Sequence, residues 1–336
     1  MPDSARALFL PLLLAVGASL SMTSGRTVGQ QNEAAPLQLE GKIPLGAVRG
    51  RIDHMAVDVE RHRLFVAELG NDSVGVVDLD ARKVVHVLGG LKEPQGVGYL
   101  PSTDTLFVAN GGDGSVRLFR GPDYAAGGRI DLGDDADNIR VDPASKRVIV
   151  GYGGGALAAI DAAAARKVAD IRLPAHPESF QLDPDSNRIF VNVPNRRIIA
   201  VVDAVAGKQV ASWPMSAGAN FPMALDPEAH RVLVMFRSPA KLAAFAMQDG
   251  AALAAVDSCG DADDLFIDAK RRRVYVSCGE GAIDVLDAQA YRRIARIPTV
   301  TGARTSLFVP EIDRFLLAVR GTPGEPAAIW LFSPTP

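Results

Sequence analysis

The chain has 336 residues, 48% apolar and 22% charged, with 32 glycines and 22 prolines, and its formal net charge is -3. A mildly acidic chain lacks the basic stripe by which proteins displace counterions from polyanions, so we expect no nucleic-acid partner. The composition is that of a folded protein rich in turns, and the length leaves one or two domains open.

The first residues have the pattern of a secretory signal. In residues 1–25 (MPDSARALFLPLLLAVGASLSMTSG), Arg6 precedes an apolar run that is too short to span a bilayer, and small residues follow it. Cleavage after Ala18 and cleavage after Ser21 both fit this pattern. We therefore predict a periplasmic or secreted protein with a flexible leader over residues 26–36 and no membrane anchor in the mature chain.

One phrase, Asp-Pro-x-x-x-Arg-apolar-x-Val, recurs seven times along the rest of the chain. Its first positions, here called the anchors, are Asp58, Leu100, Asp142, Asp183, Asp226, Asp268 and Val309. A period of about 42 residues with alternating apolar positions is typical of one four-stranded propeller blade. We therefore predict an all-β chain that forms a seven-bladed β-propeller over residues 37–336, with four-stranded antiparallel blades.

The two chain ends are predicted to share one blade. The seventh repeat stops after its third strand, at residues 327–332 (AAIWLF), and residues 37–46 (LQLEGKIPLG) have the pattern of the other fourth strands. Closure of the last blade by the N-terminal strand would remove an exposed sheet edge. We expect the closed ring to be a monomer.

Several runs resemble a known family of repeats. RIFVNVPN, RVYVSCGEG and VGVVDLDARKVV are similar to the repeats of the YVTN family of seven-bladed β-propellers, which includes the exported YncE-like proteins of bacteria. The resemblance covers residues 37–336. It implies the propeller fold, and it implies no particular reaction because the members of that family share none.

The loops that enter the innermost strands carry the candidate site. The acidic phrases GDDADN and GDADD occupy this loop in blades 3 and 6, which lie nearly opposite each other across the axis. Five residues before the anchors, four of the seven positions are acidic. The predicted ligand-binding residues of this upper face are Arg51, Asp53, His54, Glu93, Gln95, Asp137, Asn138, His176, Glu178, Asn220, Asp263, Asp264 and Arg304.

Convergent carboxylates repel one another unless a cation or a bound partner neutralises them. The first hypothesis is a binding or scaffold module that recognises a protein, peptide or small molecule in the central funnel. The alternative is a metal-dependent hydrolase, lactonase or lyase, with His54 or His176 as general base. Its cofactor would be a divalent cation such as Ca²⁺, with the ligands Asp53, Asp137, Glu178 and Asp263.

A third alternative is purely structural, with these side chains capping the free N–H groups of the loops. The sequence leaves open whether the chain is an enzyme.

The two cysteines, Cys259 and Cys278, are both predicted to approach the upper face of blade 6. In an oxidising compartment we predict a disulfide between them, and two independent thiols are the alternative. A disulfide would stiffen the loop that carries Asp261, Asp263 and Asp264.

Overall fold

A computed structural model describes residues 35–336, and these residues form seven four-stranded antiparallel sheets that are the blades of a propeller. The predicted fold class and blade number are confirmed. The predicted signal peptide and most of the predicted leader lie outside the described residues. None of the helices in residues 35–336 has the length and hydrophobicity that a membrane span requires.

The strands are numbered in chain order, and each blade runs from its innermost to its outermost strand. Blades 1 to 3 consist of β2 (Met55–Asp58), β3 (Arg63–Glu68), β4 (Ser73–Asp78), β5 (Lys83–Leu88), β6 (Pro94–Leu100), β7 (Thr105–Asn110), β8 (Ser115–Arg120), β9 (Ala125–Asp131), β10 (Ala136–Asp142), β11 (Arg147–Tyr152), β12 (Ala156–Asp161) and β13 (Arg166–Arg172). Blades 4 to 6 consist of β14 (Phe180–Leu182), β15 (Arg188–Val193), β16 (Ile198–Asp203), β17 (Lys208–Pro214), β18 (Gly218–Asp226), β19 (Arg231–Ser238), β20 (Ala240–Ala246), β21 (Ala252–Asp257), β22 (Ala262–Asp268), β23 (Arg273–Cys278), β24 (Ala282–Asp287) and β25 (Arg293–Pro298).

Blade 7 joins the two ends of the described chain. Its strands, from inside to outside, are β26 (Ser306–Val309), β27 (Arg314–Val319), β28 (Ala328–Pro334) and β1 (Leu37–Pro44). The predicted closure by the N-terminal strand is confirmed, since β1 pairs antiparallel with β28 from Leu37 to Pro44. Single-turn 3₁₀ helices complete the described elements, at Leu69–Asn71, Pro101–Thr103, Pro194–Arg196 and Pro310–Ile312.

The recurring Asp and Arg of the repeat phrase belong to the turn that leaves the innermost strand. The Asp58 carboxylate accepts hydrogen bonds from the backbone N–H groups of Glu60 and Arg61, and the later anchor aspartates make equivalent turns. Such local bonds replace the ladder bonds that the turn cannot make. The residue before each second strand is left-handed in all seven blades: His62, Asp104, Lys146, Asn187, His230, Arg272 and Asp313.

The hydrophobic core lies between adjacent blades rather than within them. One cluster joins Phe65 and Val76 of blade 1 to Leu106 and Phe119 of blade 2, and similar clusters follow around the ring. Both faces of each inner sheet are therefore covered. This packing holds the innermost strands around a common axis and leaves their entry loops together on one face, the upper face.

Candidate functional site

A β-bulge at the start of the innermost strand builds the site. In blades 2, 3, 5 and 6 the register between the first two strands shifts at this point. In blades 1 and 4, two successive residues share one partner: Asp53 and His54 both bond Ala67, and Glu178 and Ser179 both bond Asn192. Bulges of this kind re-aim side chains and are frequent beside functional sites.

The bulge defines two tiers of positions around the axis. The upper tier is Asp53, Gln95, Asp137, Glu178, Phe221, Asp263 and Arg304, and the lower tier is His54, Gly96, Asn138, Ser179, Pro222, Asp264 and Thr305. We call the space that these two tiers surround the central funnel. Residues of different blades meet there, since His54 of blade 1 lies 3.9 Å from Asp264 of blade 6.

Burial and mutual repulsion perturb the carboxyl groups of the funnel. Burial raises the pKa of Glu178 to about 7, and repulsion from Asp137 acts in the same direction. Burial also raises the pKa of Asp53 to about 6, against the opposing influence of His54 and Arg51. The pKa of Asp264 is likewise raised to about 6 by burial, in spite of nearby His54. A rise of this kind means that the ionised forms are poorly solvated.

The two histidines of the funnel lie among carboxylates, which favour their protonated forms. Burial lowers the pKa of His176, but the Asp137 carboxylate, the Gly153 carbonyl and Asp135 outweigh it, and the pKa is about 9. The His176 Nδ1 lies 2.7 Å from the Gly153 carbonyl oxygen, so this nitrogen carries the proton. The pKa of His54 is also raised, because Asp53 and Asp264 outweigh burial.

Two arginines neutralise the carboxylates of blade 6. Arg237, at the end of β19, donates to the Ala262 carbonyl at 2.8 Å, forms an ion pair with Asp263 and stacks on Phe221 with its Cζ 3.9 Å from the ring centroid. Arg304 is 2.6 Å from Asp261 and 3.1 Å from Asp263. This side of the funnel is therefore internally compensated.

Sequence reasoning missed three arginines near this site, Arg237, Arg140 and Arg320. Arg140 lies two residues before its anchor, where the other innermost strands carry Ala56, Gly98, Gln181, Ala224, Phe266 and Leu307. One charged residue in a column of otherwise uncharged residues was a signal that could have identified it. Arg237 lies on a second strand, outside the column that the anchors define.

The structure places the other predicted residues in different settings. Arg51 lies at the rim and pairs with Asp53 at 2.6 Å, and Gln95 donates to Asp135 at 3.2 Å. The side chain of Glu93 is exposed to solvent, and no side-chain contact ties it to the funnel.

Asn220 does not reach the accessible wall. It is completely buried, and its Nδ2 donates to the Asn192 Oδ1 and to the Ile198 carbonyl, both at 3.0 Å. The shift of register after Asn220 turns the next residue, Phe221, toward the funnel in its place.

The four predicted metal ligands do not form one ligand set in this arrangement. Asp53 is engaged by Arg51, and Asp263 by Arg237 and Arg304, so cations of the protein already occupy the positions that Ca²⁺ would take. Within residues 35–336, no three His, Cys, Asp or Glu side chains converge as metal ligands do. The residues present therefore fit a hard cation poorly, and we derive no step through one.

A disulfide joins Cys259 to Cys278, with a Cα–Cα distance of 5.8 Å. Both residues are buried, and Cys278 pairs with Ala262 across β22 and β23. The extra residue of the bulge, Asp263, follows at once. The crosslink thus fixes the entry loop of blade 6, which carries Asp261, Asp263 and Asp264.

Two surface cavities lie away from the funnel. One of about 280 Å³ opens between blades 5 and 6 on the opposite face and is lined by Asp226, Arg231 and Arg272 among others. Another, of about 540 Å³, lies between residues 46–50 and residues 321–327. Neither contains the perturbed carboxyls, so we place the candidate site in the funnel on the grounds of its charge rather than its volume.

Comparison with solved structures identifies the same architecture elsewhere. A chain of "Kuenenia stuttgartiensis Hydrazine Synthase" superposes with a TM-score of 0.70 at 17% sequence identity, over 86% of this chain and 95% of that chain. At this identity the similarity shows the propeller fold alone. No protein-family model matches the chain, and no curated protein is similar to it in sequence.

Proposed function

We propose that this chain is a binding module and that its central funnel takes up a small molecule or a segment of a partner protein or peptide. One observation carries the proposal: the repeated bulge turns titratable side chains from blades 1, 3, 4 and 6 toward one axis, where burial raises the pKa values of Asp53, Glu178 and Asp264. Charges that are costly to keep together are a frequent mark of functional sites.

Retention of a compound from a cell extract tests this function. The immobilised mature chain is incubated with the small-molecule and peptide fraction of its host, washed, and its bound material identified by mass spectrometry. We expect a compound that the wild type retains and that Asp137→Asn loses, because Asp137 is a neighbour of the other perturbed groups. A variant of the opposite face, Glu228→Gln, should retain it. Equal retention by all three proteins, or none by any, contradicts the proposal.

We also propose that the protein is an exported propeller of the YVTN type. The seven repeats of the phrase and the resembling runs support the family, the N-terminal pattern supports export, and the Cys259–Cys278 disulfide is in keeping with an oxidising compartment. The mass of the protein recovered from the periplasm or medium tests export. Cleavage after Ala18 or Ser21 is expected, and an uncleaved chain retained in the cytoplasm would contradict it.

The metal-dependent hydrolase remains the alternative proposal. Metal analysis of the purified mature chain and thermal unfolding with Ca²⁺ or EDTA separate the two. A bound ion, or a midpoint that Ca²⁺ raises and EDTA lowers, would favour the hydrolase, whereas the binding-module proposal expects an unchanged midpoint.

A further inference from the structure

The wall of blades 3 and 4 leaves a half-buried cation without a counter-ion. Arg140 forms no ion pair with any carboxylate of the described residues. Its guanidinium donates to the carbonyl of Ile139 at 2.8 Å, reaches the Ser179 Oγ at 3.4 Å and lies 5.5 Å from the centroid of Phe180. Burial lowers its pKa, with Asp264 and Asp137 acting in the opposite direction. Charges that have lost part of their hydration are usually paired in proteins, so an anion would be favourable beside Arg140.

The same wall leaves a carboxyl group without a partner. Within residues 35–336, Glu178 makes no ion pair, and the charges nearest to it include those of Asp137, His176 and Arg237. Asn138, on the lower tier of blade 3, is 2% exposed, and its Oδ1 accepts no hydrogen bond in the described chain. An acceptor that is buried and unsatisfied adds to the demand for a donor at this wall.

Most charged groups of the opposite wall have partners. Asp261 and Asp263 are held by Arg237 and Arg304, as described above, and the Asp264 carboxylate accepts the backbone N–H of Ser306 at 2.7 Å. The unpaired groups of blades 3 and 4 are not the only ones, since Arg320 of blade 7 also forms no ion pair within residues 35–336, but they lie on adjacent blades. They are of opposite sign, and the cation lies deeper because Arg140 follows the bulge along β10.

We propose that the funnel binds a zwitterionic ligand, with its ammonium group at Glu178, Asp137 and Asn138 and its carboxylate at Arg140 and Ser179. The inference rests on the proposed binding function and adds the chemical class of the ligand. A compound that carries both charges pairs with both groups at once. A compound with a single charge leaves one of the two groups without a counter-ion.

A series of simple compounds tests the class on the wild-type chain. Calorimetric titration at low salt compares 4-aminobutyrate with butylamine and with butyrate, which share its carbon skeleton and carry one charge each. Glycine, β-alanine and 6-aminohexanoate vary the separation of the two charges. We expect at least one amino acid of the series to bind about tenfold or more tightly than either singly charged analogue, because charge-assisted hydrogen bonds form at both ends.

Two variants assign the two ends. Glu178→Gln should weaken binding of the preferred amino acid about tenfold and leave butyrate unchanged, and Arg140→Gln should weaken it similarly and leave butylamine unchanged. Glu228→Gln, on the opposite face, is the matched control. The unfolding midpoint of Arg140→Gln, measured beside that of the wild type, separates a loss of binding from a loss of fold.

Three outcomes would overturn the proposal. The first is that butylamine binds as tightly as the best amino acid of the series. The second is that butyrate binds as tightly as that amino acid. The third is that no compound of the series binds. Each leaves the proposed binding function standing if the extract experiment yields a retained compound that Asp137→Asn loses. If that experiment yields none, the proposed function itself has failed.

Discussion

Each bulge presents a pair of residues to the funnel. In blade 2 the geometry of this pair depends on a glycine. Gly96 is the lower-tier residue of blade 2, and a Cβ added there would overlap the backbone carbonyl oxygen of Asp137 in blade 3. The close approach of the two bulges therefore requires a residue without a side chain.

Gly96→Ala is expected to destabilise the chain by about 2 kcal/mol, because neither backbone can move away without disturbing its own strand. Urea unfolding of wild type and variant measures the change. The control is Gly89→Ala, since a Cβ at Gly89 meets nothing within 4 Å. A midpoint for Gly96→Ala equal to that of the control would show that the bulges are not in close contact.

Part of the candidate site could be predicted from single residues and part could not. Counting back from each anchor yields one residue per blade, and this found Asp53, Asp137, Glu178 and Asp263. It could not find Arg237, which reaches the funnel from a second strand. It also could not show that the side chain of Asn220 is buried in the protein rather than exposed to the funnel. The register of the innermost strand could be predicted from the sequence. The direction in which each side chain of a bulge points could not.

At the scale of the element, the closing strand β1 shows how one strand can serve two purposes. Ile43 is fully buried against the core shared by blades 7 and 1, while Leu39 on the same strand is 43% exposed. At the junction of the termini, Arg273 donates to the carbonyl oxygens of Pro36, Thr335 and Pro336. The strand therefore supplies core side chains and also covers the edge of β28.

Ile43→Asp is expected to destabilise the ring by more than about 3 kcal/mol, because it buries a charge at the closure. Leu39→Asp, on the other face of β1, should change stability by less than about 0.5 kcal/mol. Thermal and urea unfolding of the two variants measure the difference. Equal effects would contradict the role of β1 as a core strand of the last blade.

Ion pairs join neighbouring blades on the face opposite the funnel. Arg61 of blade 1 binds both oxygens of Asp104 in blade 2 at 2.9 Å, and Arg271 of blade 6 binds both oxygens of Asp313 in blade 7 at 2.7 Å. Blades 2 and 7 are those whose anchors, Leu100 and Val309, are not aspartate. The repeat phrase predicted the turns but not these contacts, because their partners lie in different repeats.

The two arginines should differ in their contribution to stability. Each pairs with a buried anchor aspartate, Arg271 with Asp268 and Arg61 with Asp58, but Arg271 is 9% exposed whereas Arg61 is 46% exposed. Arg271→Met should cost about 3 kcal/mol because it leaves a buried carboxylate unpaired. Arg61→Met should cost less, about 1 kcal/mol, because water already reaches the half-exposed Arg61 guanidinium and Asp58 keeps the N–H groups of Glu60 and Arg61. Urea unfolding of both variants measures this, and the reverse order would contradict the argument from burial.

At the scale of the whole molecule, the ring concentrates groups whose protonation differs between the folded and unfolded states. Glu178, Asp53 and Asp264 have folded pKa values of about 7, 6 and 6, above the values of about 4 expected for unfolded chains. The folded state therefore binds their protons more tightly, and stability is lost as the pH rises through this range. His176, with a pKa of about 9, contributes stability that is lost as the pH rises toward that value.

The unfolding midpoint should accordingly fall as the pH is raised from about 5 to about 9. The pKa values of Asp104 and Asp313 are lowered by their bonds to Arg61 and Arg271, so their contribution is lost only in acid, below about pH 4. Calorimetric scans across the range test the slope. The double variant His176→Asn/Glu178→Gln should flatten it, and a rise in midpoint with pH would contradict the assignment.

The number and closure of the blades were readable from the sequence because both follow from a period, and a period survives any uncertainty about single positions. The distribution of charge around the axis was not. Whether a carboxylate stays unpaired depends on which arginine of another blade reaches it, and the sequence expectation of an acidic rim became a funnel with one compensated wall and one uncompensated wall.

The bulge that recurs in six of the seven blades has a consequence for how such a protein changes over time. Because hydrogen bonds of the main chain set its shape, most of the positions that it presents, Gly96 excepted, can exchange one side chain for another while the framework stays the same. A new specificity then needs only a few substitutions at these places, although contacts between blades, such as that of Arg237 with Asp263, couple some of the choices.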